Sequence, residues 1–146
     1  MDEVGVLTLE LQPQFLRVLE EKRVMPVGGE TETPCDFRLI CATNEDLKEL
    51  VEGGRFRRDL FYRLTTVVVA LPPLRDRHAD IPLLADHYRV RQGKERLDSS
   101  VWLPLLSYDW PGNVRELRSF VEGMSCEYAA VPVDAKLVGE ALERFK

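Results

Sequence analysis

Thr65-Thr66-Val67-Val68-Val69-Ala70-Leu71 runs directly into Pro72-Pro73, and the reading of this stretch decides the fold class. A β-branched run without polar alternation predicts a central strand of a parallel sheet, covered on both faces. The proline pair ends it, because proline cannot donate to a strand ladder. Upstream the pattern alternates between helix and strand, and downstream it is wholly helical. The chain therefore reads as α/β up to residue 73, an all-α segment over 74–130, and a C-terminal helix over 131–146.

Immediately upstream, residues 53–64 read Gly-Gly-Arg-Phe-Arg-Arg-Asp-Leu-Phe-Tyr-Arg-Leu. Residues 56–64 predict a helix on which Phe56, Leu60 and Leu64 anchor the cations Arg55, Arg57, Arg58 and Arg63. On the residues alone two readings stand: a solvated basic face, or guanidinium groups aimed at a polyanion. Residues 45–51 predict a short helix with Leu47, Leu50 and Val51 on one face, stopped by Gly53-Gly54. Residues 36–43 predict a second buried strand, with Asn44 at its carboxyl end, where open parallel sheets present side chains to ligands. Residues 11–21 carry apolar residues at helical spacing, with Pro13 in the first turn, and residues 23–29 read as extended up to a Gly-Gly turn. At the start, Asp2 and Glu3 precede Val4-Gly5. Two adjacent carboxylates here are either solvated or poised toward a metal-phosphate group.

Beyond Pro73, Asp80 is expected to cap a helix entered through Pro82, which residues 92–94 interrupt. Asp98 caps a second helix in which Pro104 predicts a kink. Trp110-Pro111-Gly112 forms a turn, and Asn113 with Glu116 reads as a capping-box-like start of the next helix, with Arg115 in its first turn. Asp134 caps the last helix. The role of residues 131–146 is not legible.

Composition narrows the partners. A net charge of -5 in 146 residues argues against a protein that coats nucleic acid, so any anion site is local. Cys35, Cys41 and Cys126 form neither a Cys-x-x-Cys pair nor an even set, which favours a reducing, cytoplasmic setting over a disulfide or zinc framework. His78 and His87 lack metal-ligand spacing. No apolar run approaches the roughly 18 residues of a membrane span, and the acidic start is unlike a signal peptide.

In order, these pieces resemble one family. They are Asp2-Glu3-Val4-Gly5, Phe15-Leu16-Arg17-Val18-Leu19, Val27-Gly28-Gly29, Ala42-Thr43-Asn44, residues 54–64, Leu71-Pro72-Pro73-Leu74-Arg75-Asp76-Arg77, Asp80-Ile81-Pro82 and residues 110–117. Together they resemble the AAA+ ATPase domain of sigma-54-dependent transcriptional activators, the bacterial enhancer-binding proteins. The resemblance implies an incomplete P-loop-type parallel-sheet core followed by an all-α lid. It also implies roles. Asp2 and Glu3 are similar to the Walker B acids, Asp2 helping to hold magnesium through water and Glu3 polarising the attacking water. Thr43 and Asn44 look like sensor I, Arg57 and Arg63 match arginine fingers that act on a neighbouring subunit's nucleotide, and Arg115 looks like the sensor II arginine.

The family's ATP site begins with a Gly-x-x-x-x-Gly-Lys-Ser/Thr loop whose backbone N–H groups cradle the phosphates, and no such loop occurs in these residues. The Gly-Ala-Phe-Thr-Gly-Ala loop that touches the sigma factor is likewise absent from them. Pro26 stands where the family has an arginine, and residues 88–97 are short by several positions. The chain is thus expected to be the back half of the motor domain, a truncated or decayed copy. In the intact family it works with ATP and magnesium, in a hexamer-type ring, on sigma-54 RNA polymerase. By itself it is expected neither to bind ATP tightly nor to hydrolyse it, and it shows no DNA-binding motif. Two other readings stay open: a non-enzymatic module that docks onto AAA+ subunits, and an inactive remnant.

Overall fold

The computed structural model describes residues 1–129 and 131–145. Ala130 and Lys146, at which the expected lid and C-terminal helix end, lie outside the described residues. The chain divides into two compact units, Met1–Val69 and a second beginning at Ala70. Among the described residues no helix is long and apolar enough to cross a membrane.

In the first unit a single 3-10 turn, Val4–Val6, leads into α1, Gln12–Glu21, with Pro13 in its first turn as expected. The helix ends at Lys22, whose left-handed backbone (φ 54°) turns the chain into β1, Arg23–Val24. This pairs antiparallel with β2, Thr33–Pro34, in the register Arg23 opposite Pro34 and Val24 opposite Thr33. The turn between them closes through Gly29 N–H donating to the Pro26 carbonyl at 2.9 Å. It needs the left-handed Gly28 (φ 76°), which a side chain would strain.

Two short helices complete the unit. α2, Leu47–Glu52, is capped by Asp46, whose carboxylate accepts from Lys48 N–H at 2.7 Å, and Gly53 and Gly54 end it. α3, Arg58–Leu64, starts two residues later than the periodicity predicts, with Arg57 as its N-cap. Val4, Leu19, Leu50, Phe56 and Leu60 form the buried centre.

Neither predicted strand forms a sheet. Residues 36–43 carry no strand, yet the segment pairs with the start of the chain. Met1 N donates to Ile40 O at 2.8 Å, Ala42 N–H to Met1 O at 3.0 Å and Val4 N–H to Ala42 O at 3.0 Å. The first two of these bonds follow the parallel pattern, with residue 1 opposite residue 41. Phe37, Leu39 and Cys41 turn toward the core, while Ile40 is 70% exposed, so burial is one-sided and not two-sided. Residues 65–71 form no strand either. Thr65 caps α3, and Val67, Val68, Val69 and Leu71 are 72–81% exposed. Both departures have one physical root: a strand is completed by its neighbours' N–H and C=O groups, and among the described residues only 1–4 supply them, to one edge of 36–43, while residues 65–71 join no ladder.

The second unit is helical, as expected. A 3-10 turn at Leu74–Asp76 precedes α4, Asp80–Arg91; a second at Ser99–Val101 leads into α5, Trp102–Leu106; α6, Asn113–Glu127, and α7, Ala135–Phe145, follow. α4 packs on α6 and α5 on α7, around Leu74, Ile81, Leu105, Trp110, Leu117 and Phe120. Trp110 is fully buried, donates its indole N–H to Leu105 O at 2.9 Å and meets Tyr108 and Phe120 edge-on.

Two expected caps and one expected kink do not form. Asp80 is the first helical residue and not the cap; it sits 3.4 Å from Arg77 Nη1. Asn113 does not cap α6 either. Its own backbone is left-handed (φ 54°), and its Oδ1 accepts from Leu74 N–H at 2.7 Å, tying two segments of the unit together. Glu116 instead closes the helix start, accepting from Gly112 N–H at 2.7 Å. Pro104 is the third residue of a five-residue α5, inside the first turn, where its missing N–H needs no kink. Asp98 and Asp134 do cap: Asp98 Oδ1 accepts from Ser100 N–H at 2.9 Å, at the 3-10 turn before α5, and Asp134 Oδ1 accepts from Leu137 N–H at 2.8 Å.

Candidate functional site

In the first unit the parallel pairing of residues 1 and 41 sets the acids beside the polar end of residues 36–43. Asp2 and Glu3 are both exposed, and Asp2 Oδ1 accepts from Glu3 N–H at 3.1 Å. Glu3 is held in the left-handed region (φ 55°, ψ 48°), an unusual conformation for a non-glycine residue, next to the buried Val4. Thr43 and Asn44 are exposed as well, and Thr43 Oγ1 accepts from Glu45 N–H at 3.1 Å, which leaves the hydroxyl proton to donate elsewhere.

Gly5 is what lets these segments meet. A Cβ at this position would lie 2.6 Å from Glu45 Oε2, 2.9 Å from Thr43 Oγ1 and 3.3 Å from Leu50 Cδ1. The glycine after the acids is therefore a packing requirement of the Thr43–Glu45 turn. It also forms one wall of an open cleft of about 340 Å³ that Leu7, Glu45 and Arg55 help to line.

Among the described residues no group of three or more histidine, cysteine or acidic side chains is arranged to hold a metal ion. That donor set does not suit a stand-alone cation site.

Arg55 lines the same cleft as Gly5 and Glu45, and the other arginines follow it on the segment that leads into α3. Phe56 is 2% exposed and Leu60 is fully buried, and they fix the segment from which the cations project. Arg57 makes a two-pronged contact with Asp59: Nε to Oδ1 at 3.0 Å and Nη2 to Oδ2 at 2.6 Å. The hydrogen bond to Arg57, followed by the bond from Leu60 N–H and the guanidinium charge, holds the Asp59 carboxyl below its ordinary range, and the same pair raises Arg57. Arg63 Nη2 donates to Leu19 O, at the last turn of α1, at 3.3 Å. Arg55 lies 4.0 Å from Glu45 across an exposed pair, and Arg58 is exposed. Arg115 is exposed in the first turn of α6 and belongs to the second unit.

Gln12 is a residue that motif reading passes over. It is fully buried, its Nε2 donates to Leu7 O at 2.8 Å and to Arg55 O at 3.0 Å, and its Oε1 accepts from Arg57 N–H at 2.8 Å. The signal was available: Gln12 stands three, four and seven residues before Phe15, Leu16 and Leu19, on the inward face of α1.

An α/β piece with acids and arginines around one core, followed by an all-α unit, is the layout of part of an AAA+ ATPase. The comparisons agree with it. The sigma-54 interaction domain matches residues 1–70 and the AAA+ ATPase lid domain residues 75–144. The DNA-binding transcriptional activator HyfR of Escherichia coli (strain K12) is 47% identical over 128 residues, which cover 84% of this chain and 19% of HyfR. The regulatory protein AtoC of the same organism is 42% identical over 84% of this chain and 28% of its own length. Among solved structures, NtrX from Brucella abortus in complex with ADP superposes with a TM-score of 0.81 at 32% identity, over 94% of this chain and 34% of that one. This chain belongs to the AAA+ ATPase domains of sigma-54-dependent transcriptional activators, as the C-terminal part of such a domain. It spans no more than about a third of the proteins just compared, by the shares of 19%, 28% and 34%.

Proposed function

We propose that this chain is the acid, sensor, finger and lid portion of an ATP-hydrolysing motor that acts on sigma-54 RNA polymerase. Residues 1–73 would form the back of the core and residues 74–130 the lid. Asp2 would hold magnesium through water and Glu3 polarise the attacking water, while Thr43 and Asn44 sense the terminal phosphate. Arg57 and Arg63 would reach the nucleotide of a neighbouring subunit in a ring, and Arg115 would close from the lid. The bound nucleotide supplies the phosphoryl group; this chain's residues orient water and spread charge.

The observation that carries the reading is the mounting of the arginines. Phe56 and Leu60 are buried, yet the Arg57 and Arg63 side chains lie at the surface, where a second molecule can meet them. A guanidinium stays charged at any relevant pH and matches phosphate oxygens with a planar fork of donors. An arginine acting in this way contributes roughly 10³- to 10⁵-fold in rate in nucleotide hydrolases.

Because no glycine-rich phosphate loop lies within these residues, the 146-residue chain by itself is inactive in this reading. Two assays test it together. The purified chain should not release phosphate from ATP, and turnover abolished by Glu3→Ala would overturn that part. A HyfR chimera carrying these residues in place of its matching segment should hydrolyse ATP, and Arg57→Ala and Arg63→Ala should each lower kcat by at least about 10³-fold. Full turnover in either arginine variant would remove it from the catalytic set.

A further inference from the structure

Two polar side chains are buried among the described residues, Ser125 and Gln12. Ser125 donates to Val121 O one turn back in its own helix, an ordinary way to satisfy a hydroxyl. Gln12 is different, because two of its three bonds go to residues 43 and 45 positions away. They reach Arg55 O and Arg57 N–H, on the two sides of Phe56, and so grip both ends of the segment whose middle is driven into the core.

We propose that Gln12 is a positioning residue for Arg57: its buried carboxamide fixes the backbone from which that guanidinium leaves the core. The functional weight of this rests on the finger reading above; the positioning itself does not. A carboxamide suits the place because it offers two donors and an acceptor on one planar group. Two carbonyls and one N–H are waiting. Methionine fills the volume and satisfies none of them, and glutamate would set a buried negative charge against two carbonyl oxygens.

The arrangement has two stages. Gln12 holds Arg57 in an extended conformation (φ -74°, ψ 137°) as the N-cap of α3, and Asp59 then orients the guanidinium. The other end of α1 serves Arg63 through Leu19 O. One helix thus carries both arginines, by separate contacts, and the two can be loosened separately.

The test uses the full 146-residue chain and nitrogen-15 NMR, and no nucleotide. In Gln12→Met, the Leu50 and Leu60 amides should stay protected, showing that the unit is folded. The Arg57 amide should exchange roughly tenfold faster or more, matching the loss of about one hydrogen bond, and the Arg57 Nε signal should become mobile while Arg63 Nε stays as it was. In Gln12→Glu the same loosening should appear at neutral pH and partly reverse on mild acidification. A protonated carboxyl regains a donor and an acceptor, and burial raises its pKa, so it protonates while Asp59, held low, is still ionised. Unchanged Arg57 exchange and order in folded Gln12→Met would overturn the proposal, as would equal loosening of Arg63. If Gln12→Met fails to fold, the wild-type chain and Gln12→Glu decide. An Arg57 amide that exchanges like a free one in the wild type, or a Glu variant without acid rescue, overturns it; protection with rescue supports it. Failure here leaves the chimera's ATPase result standing, and the reverse also holds.

Discussion

Replacing Gly5 with alanine should weaken the first unit through one added methyl group. Gly5 lies in the Val4–Val6 turn without a positive φ, so alanine can adopt its backbone and on that account would gain about 0.4–1 kcal/mol from a stiffer unfolded chain. The steric term opposes this. The new Cβ would stand 2.6 Å from Glu45 Oε2, 2.9 Å from Thr43 Oγ1 and 3.3 Å from Leu50 Cδ1. Glu45 can swing away at little cost, because its partner Arg55 is 4.0 Å off and exposed. Thr43 cannot: its Oγ1 accepts from Glu45 N–H, and moving it breaks a bond that contributes about 0.5–1.5 kcal/mol. Shifts of the Leu50 side chain and of the backbone add to this, in the range of about 1–3 kcal/mol for overpacked sites. The net expectation is a loss of roughly 0.5–4 kcal/mol, read as a lowered urea midpoint for the first unit. Tryptophan emission is blind to the change, since Trp102 and Trp110 both lie in the second unit. Residue-resolved amide exchange at Leu50 and Leu60 across a urea series is the suitable assay. A midpoint that is unchanged or raised at those amides would refute the reasoning, and with it the claim that glycine is needed there for packing.

Two further outcomes follow from the same geometry. Trp110→Ala removes a fully buried indole, its bond to Leu105 O and two edge-on ring contacts, and should destabilise the second unit by about 3–5 kcal/mol in a thermal melt followed by Trp102 emission. The Asp59 carboxyl, lowered mainly by its bond from Arg57, should titrate below the ordinary aspartate range when followed by carboxyl carbon-13 shifts. Because its folded pKa is depressed, its contribution to stability is present above about pH 3.9 and is lost as pH falls through the lower folded value. Arg57→Ala should move that titration back up toward ordinary aspartate, and an unmoved value would mean that the surface pair is not made in solution.

The helices were legible because their information is local. Phe15, Leu16 and Leu19 recur at helical spacing, Asp98 and Asp134 cap as their positions suggest, and the Gly53-Gly54 pair stops α2. The eight motifs in their order were enough to place the chain in its family. Strand readings failed for a reason equally physical. Residues 36–43 and 65–71 carry the composition of buried strands, but a strand exists only with its partners, and composition does not say whether they are present. Helix α6 shows the same limit: Asn113 has a capping residue's chemistry, yet Leu74 N–H, 39 positions away, takes its oxygen.

By itself the sequence determined the helices and the family, since each is written in short spacings or in motif order. Tertiary structure alone decided that Gly5 must stay small against Thr43, that Arg57 is paired with Asp59, and that Gln12 clasps the arginine segment. The Gln12 contacts span more than 40 positions and depend on how α1 lies against the start of α3. Spacing records which face of a helix is buried; only the packed chain records what that face meets.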